Sequence, residues 1–170
     1  MTTEEAKRAA ASLLEREYQS MAALFASLSE AQLERPVFTG EGVGWRIRDL
    51  IPHFAFWQTI SARVAEEIAR GRVPTDERGT FAFLGIESTT DASNADSHRE
   101  WRDRPAPEAL RHLLACHVRL MEAVQALPAE RIVKSEAPED WYRYFWQPGV
   151  NHLRQHRLHI EAALKETATT

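Results

Sequence analysis

The chain is short of cysteine, of alternating β-branched residues and of long apolar runs. Cys116 is the single cysteine in 170 residues, which rules out an intrachain disulfide. That fits a reducing compartment. No apolar run approaches the length of a membrane span. The N-terminus, Met-Thr-Thr-Glu-Glu-Ala-Lys-Arg, shows no basic segment followed by an apolar one, as a secretory signal would. The expected location is the cytoplasm. The formal net charge is −4, with arginines scattered among acids, so no basic stripe invites nucleic acid or an anionic membrane. The three glycines of Gly40-Glu41-Gly42-Val43-Gly44 match neither the dinucleotide nor the P-loop spacing, and no strand precedes them. They read as a connection.

With strands nearly excluded, the 3.6-residue period dominates, and one all-α domain over residues 1–170 is expected. The first helix is read from Thr3 to Leu28, with Ala10, Leu14, Met21, Leu24 or Phe25, and Leu28 recurring and Tyr18 between them. Ser29-Glu30-Ala31-Gln32 has the spacing of a capping box and predicts a short second turn. The second long helix covers about Arg46 to Arg70. Pro52 either kinks it or belongs to its opening turn. Residues 71–93 form a long irregular connection, whose patch Phe81-Ala82-Phe83-Leu84 should tuck against the helices. A short helix follows over Asp91 to Asp103. The third long helix begins near Pro107 and ends at Leu127 before Pro128. Ala129 to Glu139 reads as a loop. The fourth helix spans Asp140 to Lys165, with a break at Pro148-Gly149. Short to moderate links make an antiparallel four-helix bundle the simplest architecture, with the connection between helices 2 and 3 as the exception.

What the sequence does have is histidine in a telling pattern. His152 and His156 stand four apart on one helical face, among apolar residues. His53 lies on the inward stripe of the second helix, between Leu50 and Trp57. A bundle can bring the three together. Buried imidazoles need partners for both ring nitrogens, and a divalent metal satisfies several acceptors at once. Three protein ligands leave a coordination position open, as in catalytic sites. The other view of the same spacing is a pair of core histidines bonded to side chains or water.

Other residues have smaller parts. His159 is a candidate outer partner or alternative ligand. Asp49, one turn before His53, could orient an imidazole or cap the helix start. His117 lies on an apolar face, either near the site or as a core histidine. His112 and Cys116 are i, i+4 but fall off the main stripe. Trp57, Trp141, Tyr144 and Trp146 are candidate pocket walls. Arg143, Arg154 and Arg157 could meet an anion or form a solvated face.

Two stretches resemble a known family. Trp45-Arg46-Ile47-Arg48-Asp49-Leu50-Ile51-Pro52-His53-Phe54-Ala55-Phe56-Trp57 is similar to the opening of the second helix in the DinB-like superfamily of four-helix bundles. His152-Leu153-Arg154-Gln155-His156-Arg157-Leu158-His159-Ile160 is similar to that family's closing His-x-x-x-His-x-x-x-Ile. The superfamily includes thiol-dependent S-transferases and mycothiol-dependent maleylpyruvate isomerase. The resemblance implies a divalent metal, zinc or nickel foremost, held by His53, His152 and His156. It also implies a low-molecular-weight thiol as a candidate cofactor, a small-molecule substrate and a homodimer. The function so implied is activation of a thiol or water, of S-transferase or hydrolase type. The alternative is a non-catalytic bundle that binds or detoxifies small molecules. The isomerase branch commonly carries an added C-terminal domain, so the expectation turns away from it where this chain ends after the fourth helix.

Overall fold

The computed structural model describes residues 2–37, 44–72, 79–133 and 149–165. Its helices are α1 (Thr3–Ser27), α2 (Glu30–Leu33), α3 (Leu50–Ala69), α4 (Gly79–Phe83), α5 (Thr90–Trp101), α6 (Ala106–Ala126), α7 (Ala129–Val133) and α8 (His152–Lys165). Among the described residues the nearest thing to a strand is one bridge, Pro36 to Arg46. The expected all-α class is what the structure has.

The helix ends follow local chemistry. Thr2 caps α1: its hydroxyl accepts from Glu5 N at 3.2 Å, and the Glu5 carboxylate accepts from Thr2 N at 2.6 Å. Ser29 and Gln32 make the capping box expected for α2. A 3-10 turn, Ile47–Asp49, leads into α3. Pro52 is therefore the third residue of the helix. Its missing N–H is one that the first turn leaves without an intrahelical partner anyway, so it sits in the opening turn. The segment expected to be a loop after Pro128 starts instead with α7, its first residues Ala129 and Glu130 following the proline. A π turn at residues 149–151 leads into α8. The earlier part of the expected fourth helix lies outside the described residues.

The bundle is not purely antiparallel. Arg46 and Arg48, just before and within the 3-10 turn, donate to the carbonyls of Arg102 and Arg104, just before α6. Thr59 meets Cys116 and Glu66 meets Arg119, further along both helices in the same sense. Helices α3 and α6 thus run parallel. So do α1 and α8, where Arg154 pairs with Glu17 and Arg157 bonds Ser20. Helices α1 and α6 are antiparallel: Lys7 Nζ near the start of α1 donates to the carbonyls of Gln125 and Leu127 at the end of α6. The physical reason is the long connection after α3. It returns the chain to the end where α3 began, and a short link could not do so.

Two apolar clusters fill the interior. One joins Phe25, Ile47, Leu50, Ile51, Phe54, Leu113, Leu153 and Ile160. The other joins Leu14, Val64, Ile68, Leu120, Val124 and Val150. Burying one such side chain stabilises the fold by about 1.5–3 kcal/mol. At Gly149 the chain leading into α8 packs against Leu14 of α1. A Cβ there would stand 2.4 Å from Cδ2 of Leu14, so a side chain does not fit without movement. Gly149 stands three residues before His152 in the chain.

Candidate metal centre

His53 is the fourth residue of α3, and His152 and His156 are carried by the first two turns of α8. His53 and His156 are buried, and His152 is half-buried. Nε2 of His152 lies 2.9 Å from Nε2 of His53 and 2.9 Å from Nε2 of His156. The three ligand atoms all fall within 4.8 Å of one another. Residues 99 and 4 positions apart in the chain have thus been brought to one point.

The three ring nitrogens are close enough that they could hold a metal ion. A ring nitrogen offers one N–H or one lone pair, in a single in-plane direction. Nε2 of His152 faces two other ring nitrogens and cannot serve both well. A cation among them would take one lone pair from each ring. Imidazole nitrogens bound to one ion at about 2.0–2.1 Å stand about 3–3.4 Å apart, so spacings of 2.9 Å need little adjustment. All three donors are imidazoles, a set that suits zinc, nickel, copper or iron over calcium or magnesium.

Aromatic rings wall the triad. Phe54 lies 5.5 Å, centroid to centroid, from His152 and from His156. Trp45 meets His53 edge-on at 5.1 Å. Trp57 lies 6.5 Å from His53 and 6.2 Å from His152, and its indole N–H donates to Asn94 Oδ1 at 3.2 Å. Phe81, from the long connection, stacks on Trp57 at 5.8 Å. The Phe81 patch therefore does tuck against the bundle, beside the site. Trp57, a candidate pocket wall, packs beside the triad. Trp141, Tyr144, Trp146 and Arg143 lie outside the described residues.

Asp49 has a different occupation. Its carboxylate accepts from Arg46 N at 2.8 Å, Nε at 3.0 Å and Nη2 at 2.9 Å, and it lies 3.4 Å from Nε2 of His98. This carboxylate holds the Arg46 guanidinium above its usual pKa, by hydrogen bonding first and charge second. His98 in turn stacks on Trp45 at 5.3 Å. Asp49 thus caps the 3-10 turn, and through His98 and Trp45 it is linked to the triad. It is 3% exposed. Trp45 is placed by backbone pairing, Val37 N to Trp45 O at 2.8 Å, and by the turn at Gly44, whose φ of +81° suits glycine. His98 and Phe54 were not among the residues singled out as site candidates. Trp45 opens the resemblance motif, which was its signal; His98 is one histidine on a polar helix and has none.

The remaining candidates separate from the triad. His117 is buried, bonds Glu15 Oε2 through Nε2 at 2.9 Å, and stacks on Tyr18 at 3.7 Å. Burial pushes its pKa down, against the opposing pull of Glu15. Cys116 lies 3.7 Å from Nε2 of His112 and accepts from Thr59 Oγ1 at 3.3 Å. Burial pushes its thiol up, which disfavours the thiolate a nucleophile or ligand would need. His112 stacks on Trp101 at 4.5 Å. Arg154 and Arg157 are held by Glu17 and Ser20. His159 approaches the back of His156, Nδ1 to Nδ1 at 3.2 Å.

Among the described residues, no helix is long and apolar enough to cross a membrane. No curated protein and no solved structure matches the chain significantly. The family model of the mycothiol maleylpyruvate isomerase N-terminal domain, a DinB-like superfamily domain, matches residues 14–163, from α1 through most of α8 and so across all three histidines, and the chain belongs to that family.

Proposed function

We propose that this protein is a divalent-metal-dependent enzyme that activates a low-molecular-weight thiol, or water, for attack on a small electrophilic substrate. The observation that carries this is the convergence of three Nε2 atoms on one point, with one of them facing the other two. Zinc or nickel is the metal we favour, from the all-imidazole donor set. Held there, the ion would supply Lewis acidity and lower the pKa of a thiol or water, so that an anionic nucleophile forms near neutral pH.

The chain's own residues would do the rest. His53, His152 and His156 hold the ion and leave a coordination position for the nucleophile. Trp45, Phe54 and Trp57 keep bulk water from the imidazoles, which strengthens every electrostatic interaction there. Gly149 and the 3-10 turn lead into the two ligand-bearing helices. The match to a family named for mycothiol supports a thiol as the nucleophile's source.

The test is a turnover screen with low-molecular-weight thiols and electrophilic acceptors, before and after chelation. We expect activity that disappears with the metal and returns with zinc or nickel. Activity that survives complete metal removal would sink the metalloenzyme reading. Metal binding without turnover of any acceptor would point to a non-catalytic binding or detoxification bundle.

A further inference from the structure

His156 is completely buried, and both of its ring nitrogens are engaged by other histidines. Its Nε2 faces His152 at 2.9 Å. Its Nδ1 lies 3.2 Å from Nδ1 of His159, three residues on along α8, with the rings 5.2 Å apart and inclined at 75°. The two nitrogens of one imidazole point in diverging directions. His159 therefore stands behind His156, outside the converging group, and is not a fourth donor to the same point.

We propose that His159 is a positioning residue for the triad. Its Nδ1 accepts a hydrogen bond from Nδ1–H of His156 and fixes the tautomer that leaves the His156 Nε2 lone pair for a divalent cation. This rests on the metal reading of the triad. A neutral imidazole has one proton for two nitrogens. To give Nε2 to a cation, His156 must carry that proton on Nδ1. A buried N–H without an acceptor is costly, and the acceptor at hand is His159 Nδ1. One of the two facing nitrogens must be protonated and the other not, so the rings set each other's proton positions. Metal-bound histidines characteristically donate their second N–H to an acceptor, usually a carboxylate, carbonyl or water, which fixes ring orientation and raises ligand basicity; here the acceptor is an imidazole. Positions three apart on a helix meet on one face, so α8 supplies both the ligand and its support.

The test uses the full chain without a polyhistidine tag, titrated with zinc or nickel against a competing chelator. His159→Leu removes the acceptor at similar bulk. His159→Asn retains it, because the asparagine amide oxygen occupies nearly the place of Nδ1. We expect the leucine variant to bind metal roughly 10–100-fold more weakly and the asparagine variant to bind close to wild type. Nitrogen-resolved NMR of the imidazoles should show His156 protonated at Nδ1 in wild type and mixed tautomers in His159→Leu. Should the leucine variant fail to fold, judged by its thermal melt without metal, His159→Ala takes its place. Equal affinity of wild type and His159→Leu, with binding lost in His156→Ala, would overturn this role while leaving the triad intact. Wild type that binds neither metal would overturn the triad reading itself, and the role of His159 with it.

Discussion

The molecule buries histidine in two places, and the two solve the same problem differently. In the triad, imidazole faces imidazole: Nε2 of His152 is 2.9 Å from that of His53 and of His156, and aromatic rings surround them. At His117, imidazole faces a carboxylate, Glu15 at 2.9 Å, and lies flat on Tyr18. A carboxylate that accepts from Nε2–H leaves no converging lone pairs for a cation. Rings of like chemistry aimed at one point do the opposite. Burial of histidine is common to both and says nothing by itself; the identity of the group opposite Nε2 separates a cluster that could hold a metal from a histidine paired within the core. Cys116 and His112 form a third, weaker case, where burial raises the thiol pKa and lowers that of the imidazole.

The largest test of the contrast is metal affinity. His156→Ala and His53→Ala should each lose binding by more than the roughly 10–100-fold typical of losing an outer partner. His117→Phe should bind metal like wild type. The same split should appear in thermal stability. At a free metal concentration of 100 times Kd, binding to the native state adds about 2.7 kcal/mol, or roughly 5–11 °C for a chain of this size. We expect that shift in wild type and His117→Phe and its absence in both triad variants. A melt in which His117→Phe also loses the shift would erase the distinction between the two sites.

A smaller effect should come from Gly149→Ala. The added Cβ would meet Leu14 Cδ2 at 2.4 Å, inside a cluster where Leu14 is buried. Over-packing of this kind costs about 1–3 kcal/mol. Because the π turn at 149–151 feeds directly into His152, the displacement should also weaken metal binding. His117 is positioned by α6 and α1 and should keep its stacking on Tyr18. A thermal melt and a metal titration of the same variant separate the two effects. Unchanged values in both would mean that Leu14 yields freely and that Gly149 does not set the height of α8.

The triad was legible in the sequence because its spacing is a property of helices. Positions 152 and 156 must share a face, and His53 falls on the inward stripe of its own helix. The helix ends were legible where capping chemistry is local, as at Ser29 and Gln32. The direction of α6 was not, because the hydrophobic stripe of a helix looks the same whichever way it runs. That direction was decided by the connection after α3, through pairs such as Arg48 with the Arg104 carbonyl. The wall around the triad was half legible. Trp57 lies one turn from His53, whereas Trp45 arrives through backbone pairing with Val37, and Phe81 through a connection without periodicity. Asp49 and His117 had the right residue types near the right helices. Their partners, Arg46 and Glu15, turned them to other tasks, and no sequence spacing announces such a partner.

The smallest expected effect is a pH dependence confined to the second site. Burial lowers the pKa of His117 in the fold below its ordinary value near 6.5, despite the opposing influence of Glu15. The unfolded chain therefore takes up a proton at this residue at a higher pH than the native protein does. Between those two pKa values the unfolded state binds more protons, so stability rises with pH. The contribution is fully present above about pH 6.5 and is lost as the pH falls through that value toward the native one. Glu15 acts lower on the scale. Its hydrogen bonds to Gln19 and His117 hold its carboxyl below 4.5, so its contribution also fades on acidification, but in a more acidic window. His117→Phe keeps an aromatic ring against Tyr18 and removes the titrating group, while Glu15, 43% exposed, can turn to water. Thermal melts of the metal-free protein at pH 5.5 and 7.5 provide the measurement, with the triad histidines common to both proteins. The drop in Tm from the higher to the lower pH should be smaller in His117→Phe than in wild type. An equal drop would mean that His117 accepts its proton in the fold as easily as in the unfolded chain, with Glu15 holding it charged.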